Sequence, residues 1–191
     1  MKIKLKIIPL IGIEINDSKI TFGSNINEII KILGEPDYKN ERQLYYDTLE
    51  FRMDFDNDKN LKFVELQGPE TEKINPEIYG INPFEIEANE LITILEEKDS
   101  DIDVSEKPYC YCFREISIGV WRDTTPENIL KSIPENVSKE EECIWQEELN
   151  KAKHFWTIGA GVKGYYKLSR TLFRSRIIAL VLVILIFLQN I

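Results

Sequence analysis

Cys110 and Cys112 stand two residues apart, a spacing at which two thiols could hold a soft metal or exchange a disulfide. In a strand, positions i and i+2 share a face, and Tyr109-Cys110-Tyr111-Cys112-Phe113 alternates aromatic and small residues as a strand does. A structural zinc site needs four ligands. The chain has three cysteines, Cys143 being far from the pair, and a single histidine, His154. The pair therefore reads as strand packing. Asp54, Asp56 and Asp58, with Asn57 and Asn60, have the spacing that opens a calcium loop. Such a loop requires glycine at its sixth position, where Lys59 stands, and Glu65 falls in a predicted strand. The segment reads as a turn. Gly159-Ala160-Gly161-Val162-Lys163-Gly164 has the glycines of a phosphate loop without its strand–loop–helix order, since Tyr165-Tyr166 follow. Close strand packing or a bulge is the expected use of those glycines. With one histidine, a Ser-His-Asp triad has almost nothing to build on. The expectation is a chain that is not an enzyme, with no cofactor, no metal and no small-molecule substrate.

Partner binding is the remaining chemistry. Leu49, Phe51, Met53 and Phe55 alternate with Glu50, Arg52 and Asp54, so one sheet face is covered and the other wet. Arg52 and Asp54 are candidates on that wet face. Trp121, Trp145 and Trp156 read as core; one exposed on the sheet would be an anchor, with Trp121 and Trp145 the candidates, because tryptophan dominates interface energetics. The first 150 residues hold 17 basic and 33 acidic residues, and Lys139–Glu148 is a strongly acidic run. Such a body repels nucleic acid, which is bound mainly through Lys and Arg. It suits a basic protein, with faster association through steering.

These residues need elements to hold them. Ile26, Ile29, Ile30 and Leu33 mark one helical face, with Ser24 as its N-cap, Gly34 as its stop and Pro36 beyond. Residues 81–95 echo residues 20–33: Phe84 answers Phe22, Asn89 Asn27, Glu90 Glu28 and Leu95 Leu33, at a constant offset of 62. Strands are predicted at Gln43–Asp47, Leu49–Phe55 and Leu61–Gln67, then at Tyr109–Phe113, Ile116–Arg122 and Phe155–Val162. Thr125-Pro126 starts one inserted helix and the capping box Ser138…Glu141 a second. The predicted fold is α+β: a helix plus three antiparallel strands, internally duplicated, with helices packed on one sheet face and a C-terminal hydrophobic helix. The duplicated domain spans 1–166, with copy one at 13–68 and copy two at 79–166, interrupted by a helical insertion at 123–154.

Thr21-Phe22-Gly23 through Lys31-Ile32-Leu33-Gly34-Glu35-Pro36 resembles the G-x(n)-E-x-x-K-x-L-G-x-P pattern of small bacterial helix–sheet modules. The outer-membrane assembly lipoprotein BamE and the tandem β-lactamase inhibitory proteins share such modules. The likeness covers residues 20–67 and, more weakly, 79–122. PFEIEANELITILEE, ISIGVWR and IGAGVKGYY also resemble a group of bacterial proteins, some encoded beside toxins as immunity proteins are. The resemblance implies a binding fold without catalysis. The chain departs from the lipoprotein pattern in showing neither signal peptide nor lipidation cysteine, so an outer-membrane role is not expected.

Lys151–Arg176 holds seven basic residues and no acidic one, and Ile177–Ile191 holds no charge. Ile177, Ile178, Leu180, Val181, Leu182, Val183, Ile184, Leu185, Ile186, Phe187 and Leu188 would enter the bilayer. Lys167, Arg170, Arg174 and Arg176, in the collar 167–176, would lie at its interface. The run is short against the ~20 residues that span hydrocarbon, and a core segment or an incidental tail compete with an anchor. Basic residues before a span favour a cytoplasmic body. The expected protein is thus a binding module on the cytoplasmic membrane, contacting a protein partner such as a basic toxin domain, and the bilayer through its tail. The alternative is a small membrane-associated structural or regulatory protein.

Overall fold

The structure is a computed structural model and describes residues 2–167. In chain order its elements are β1 (Ile3–Ile8), β2 (Gly12–Ile15), β3 (Ser18–Thr21), α1 (Ile26–Leu33), β4 (Tyr38–Lys39), β5 (Gln43–Tyr46), β6 (Phe51–Phe55), β7 (Leu61–Gln67) and β8 (Ile74–Glu77). Then follow α2 (Ala88–Glu96), β9 (Ile102–Asp103), β10 (Cys110–Phe113), β11 (Ile118–Trp121), α3 (Pro126–Ser132), α4 (Lys139–Ala152) and β12 (Thr157–Gly161).

β1 follows from the alternation of Ile3, Leu5 and Ile7 with Lys4 and Lys6, as the sequence predicts, whereas β2 and β3 arise from a pattern that sequence reading passed over. Ile13 and Ile15 alternate with polar positions, and Asn16-Asp17 then turns the chain back into Ser18–Thr21. Both turn residues have positive φ, 45° and 67°, as a two-residue hairpin of that type demands. β1 pairs antiparallel with β2 and, on its other edge, parallel with β8, Ile3 lying opposite Ile74. This gives a four-stranded sheet, β3-β2-β1-β8. The remaining strands form an eight-stranded antiparallel sheet, β4-β5-β6-β7-β12-β11-β10-β9.

α1 is amphipathic, and its Ile26 and Ile29 are buried. Its N-cap is Asn25 rather than Ser24: the Asn25 side chain accepts from Asn27 N at 3.0 Å, and Glu28 closes a capping box. α2 buries Ala88, Leu91, Ile92 and Leu95. A single cluster joins Leu5, Ile7, Ile13 and Ile20 of the small sheet to Met53, Phe55, Val64, Leu66, Ile118 and Ile158 of the large one, through residues of both helices. Burying those side chains together is the main stabilising contribution, about 1.5–3 kcal/mol for each large aliphatic or phenyl group.

The duplicated fold class is overturned. The described chain is α+β but sheet-rich, with two sheets and four helices in place of two copies of a helix and three strands. The 62-residue echo does not carry into local structure. Phe22 is half-buried, whereas the Phe84 ring fills the space directly above Gly68. Asn25 caps α1 with its side chain, while Glu87 at the equivalent point makes no such bond. Periodicity recorded two similar amphipathic helices, which many folds share. Among the described residues no hydrophobic C-terminal helix exists and no helix is long and apolar enough to cross a membrane. Arg170, Arg174, Arg176 and the apolar run Ile177–Leu188 lie outside the described residues. Lys167 is exposed, with an ion pair to Asp101 at 3.9 Å.

Candidate functional site

Arg52 and Asp54 project from the same side of β6, flanking the core residue Met53. The register places Arg52 between Tyr45 and Glu65, and Glu65 opposite Gly159, which faces Gly119. Arg52 Nη2 meets Glu65 Oε2 at 2.9 Å. Asp54 is 1% exposed and accepts from Gln43 Nε2 at 2.9 Å. Both are cross-strand ties within the sheet. The glycines on this face make room for the protein's own chain. A Cβ at Gly159 would lie 2.5 Å from the Phe63 ring, and one at Gly119 would collide with the Tyr166 hydroxyl. Phe63 and Tyr165 stack at 4.4 Å, and Tyr166 donates to Gly159 O at 3.3 Å. Burial pushes the Tyr166 hydroxyl well above the ordinary tyrosine range. The segment that superficially resembled a phosphate loop is thus a strand followed by an aromatic clamp.

Trp121 lies on the same sheet face as Arg52, half-buried and edge-on to Trp156 at 6.3 Å. Trp145 is elsewhere, half-buried on α4. The structure therefore gathers Arg52, Asp54 and Trp121 on one face and separates Trp145 from them. Cys110 and Cys112 share a strand face with their sulfurs 4.0 Å apart, and both are free thiols. Asp56 Oδ1 accepts from Asp58 N and Asn60 N at 2.9 and 2.8 Å, so the aspartate run is a self-satisfied turn. His154 holds its Nδ1 against Ile86 O at 2.8 Å. Among the described residues no group of three potential ligands could hold a metal.

The most open surface belongs to the helical excursion. α3 and α4 start where the sequence predicted, Thr125 capping the first and the Ser138–Glu141 box the second. They are 7 and 14 residues long and bury one side chain, Ala152. Leu130 and Ile144 are each 59% exposed. Glu140, Glu141 and Glu142 crowd the first turn of α4, a placement that the helix dipole favours.

A groove of about 320 Å³ runs between α4 and the end of β7 beside the start of β12, lined by Glu50, Glu70, Glu148, Lys151 and Trp156 among others. Lys151 Nζ bridges Glu70 at 3.3 Å and Glu148 at 3.6 Å across it. The Glu70 contact, first, raises the Lys151 pKa. Two polar atoms on this wall, Glu50 Oε2 and Trp156 Nε1, are buried without a hydrogen-bond partner among the described residues. Glu50 also adopts a left-handed backbone, φ 59°. Orphaned buried polar atoms are uncommon, and each calls for a cause. The sequence marked Glu50 only as a wet-face position and Trp156 only as core, and nothing in it joined the two.

A second cavity, of about 490 Å³, opens between the starts of α2 and α3 and the loop before β10. Arg122 forms part of its wall and is 6% exposed. Burial lowers its pKa from the ordinary arginine value. Its position directly after an apolar strand gave no sign of burial.

No curated protein and no solved structure matches the chain. The family described as "Domain of unknown function (DUF7738)" matches residues 10–158, most of the chain, and the protein belongs to that family.

Proposed function

We propose that the protein is a non-catalytic binding module whose α3–α4 arm and adjoining acidic groove seat a basic surface of a protein partner. The observation that carries this reading is the arm itself: two helices that bury only Ala152 while holding Leu130 and Ile144 in solvent. Isolated helices this short are marginal in water, and tertiary burial normally sustains them. An arm that buries so little is spared for contact with something else. Its charge names the partner's sign, since residues 126–152 hold seven acidic and three basic side chains. The groove supports the same sign, because its own Lys151 already seats an ammonium between two carboxylates. Neutralisation of a toxin domain, an immunity role, is the most specific form of this reading. The basic collar and apolar run 177–188 would hold the module at the cytoplasmic membrane.

The test is co-expression with the products of the genes that flank this one, read as host growth and as a co-purifying complex. Protection and a stable complex are expected, and both are lost in Ile144→Glu, whose side chain is exposed and whose change leaves the fold intact. No complex and no protection by the unaltered chain would sink the immunity role. Carbonate extraction of cells expressing the chain with and without residues 177–191 checks the tether: membrane retention of the shortened chain would refute it.

A further inference from the structure

Arg122 is buried without a carboxylate in direct contact among the described residues, although the exposed Glu127 acts on it from a distance. Its Nε donates to Pro108 O at 3.0 Å and its Nη1 to Ala152 O at 3.2 Å, with the Phe155 ring 5.4 Å from Cζ. Nη2 donates to no described residue, and no carboxylate of the described residues forms an ion pair with the guanidinium. Ala152 ends α4, so its carbonyl lends roughly half a negative charge from the helix dipole. A buried cation normally finds a full counter-charge.

The guanidinium borders the cavity of about 490 Å³, a size that takes a small organic molecule. Asn89 lies on the same wall and opens the first turn of α2, where the N–H groups of Asn89 and Glu90 have no partner among the described residues. Ala88 N is already used, bonded to Lys153 O at 2.8 Å. Free N–H groups beside a buried arginine suit a carboxylate. Glu87 and Glu127 also line the cavity and are exposed. They would repel a dianion and attract an ammonium group.

We propose that this cavity binds a small zwitterion, an α-amino acid or short peptide. Its carboxylate sits on Arg122 and the first turn of α2, and its ammonium lies between Glu87 and Glu127. The site lies at the base of the α3–α4 arm, with Glu127 in the first turn of α3, and it does not include the exposed Leu130 and Ile144 on which the toxin reading rests.

The test is an NMR titration of the ¹⁵N-labelled full-length chain with glycylglycine, each standard amino acid, acetate and inorganic phosphate. The expected result is saturable movement of the Asn89, Glu90 and Asn128 amides with at least one zwitterion. Acetate should bind about tenfold more weakly, for want of one charge-assisted hydrogen bond. Arg122→Gln should abolish the shifts. Because that change could also unfold the chain, the exposed substitution Glu127→Gln provides a second check, with a similar loss of about tenfold for zwitterions and none for acetate. No saturable shift with any zwitterion at millimolar concentration, phosphate binding more tightly than every zwitterion, or indifference to Glu127→Gln would each overturn the proposal.

Discussion

Asp99 shows how much one buried carboxylate can organise. It is 4% exposed, and it accepts from Asp101 N at 2.8 Å, Glu115 N at 2.7 Å and Ile116 N at 3.0 Å. It thereby fastens the end of α2 to the turn before β11. Asp99→Ala would strand these donors, and each buried unsatisfied group costs about 1–3 kcal/mol. We expect a loss of about 2–4 kcal/mol in denaturant unfolding, with little change in slope. In the sequence, Lys98-Asp99-Ser100-Asp101 looks like a solvated turn, because the partners of Asp99 are supplied by residues far along the chain. Tyr46 falls in a strand that the sequence predicts, but neither its burial nor its titration was legible there. Burial first, then Glu35 and Asp37, pushes its hydroxyl up to about 12, while the hydroxyl donates to Gly34 O at 3.0 Å. A raised folded pKa means its stabilising contribution is whole below the unfolded value near 10 and is lost as pH rises toward about 12. Tyr46→Phe should flatten the fall in stability across that window, as followed by denaturant melts at stepped pH. An unchanged slope would show that Tyr46 ionises freely.

Elements were readable where a local rule decides them. The buried Phe51, Met53 and Phe55 of β6 follow from period-two alternation, and α4 from a capping box in the sequence. α1 was placed correctly, but its cap was one residue out. Ser24 and Asn25 are both good caps by type. Backbone geometry chose between them: Ser24 O accepts from Leu61 N at 2.8 Å, which draws Ser24 into contact with β7 and leaves the helix start to Asn25. Asn25→Ala should therefore cost about 1 kcal/mol, and Ser24→Ala clearly less; equal losses in urea melts would refute the assignment. Whether an element packs is not a local property. The acidic run Lys139–Glu148 reads as a solvated helix face, but nothing in the sequence tells that the apolar positions Ile144, Trp145 and Leu149 also stay outside the core, so that α4 buries only Ala152. For the same reason alternation put Arg52 and Asp54 on a wet face, whereas Asp54 is 1% exposed and the two are engaged across strands by Glu65 and Gln43. Nor did any local signal join Glu50 to Trp156, which share one groove only through the fold.

At the scale of the molecule, the least legible feature is the small sheet. β8 joins it in parallel, Ile74 beside Ile3, across a stretch of chain that contains most of the other elements of the first half. No periodicity encodes such a pairing, and the hairpin β2–β3, which a turn rule could have found, does not by itself imply it. The consequence is testable because the two sheets share one core. Leu5, fully buried on β1, belongs to the same cluster as Met53 and Ile158 of the large sheet. Trp121, Trp145 and Trp156 all lie on or beside the large sheet or on α4, so their fluorescence reports that half alone. If the sheets were separate cooperative units, Leu5→Ala would melt the small sheet and leave the tryptophan transition where it was. With a common core, removing the Leu5 side chain should cost about 2–5 kcal/mol, and the tryptophan and far-ultraviolet dichroism transitions should move together to lower denaturant. A tryptophan midpoint unmoved by Leu5→Ala would divide the molecule into two units. A coincident shift would mean that the arm and both grooves are carried on a frame that opens only as a whole, so that a partner binding the folded chain would stabilise both sheets together.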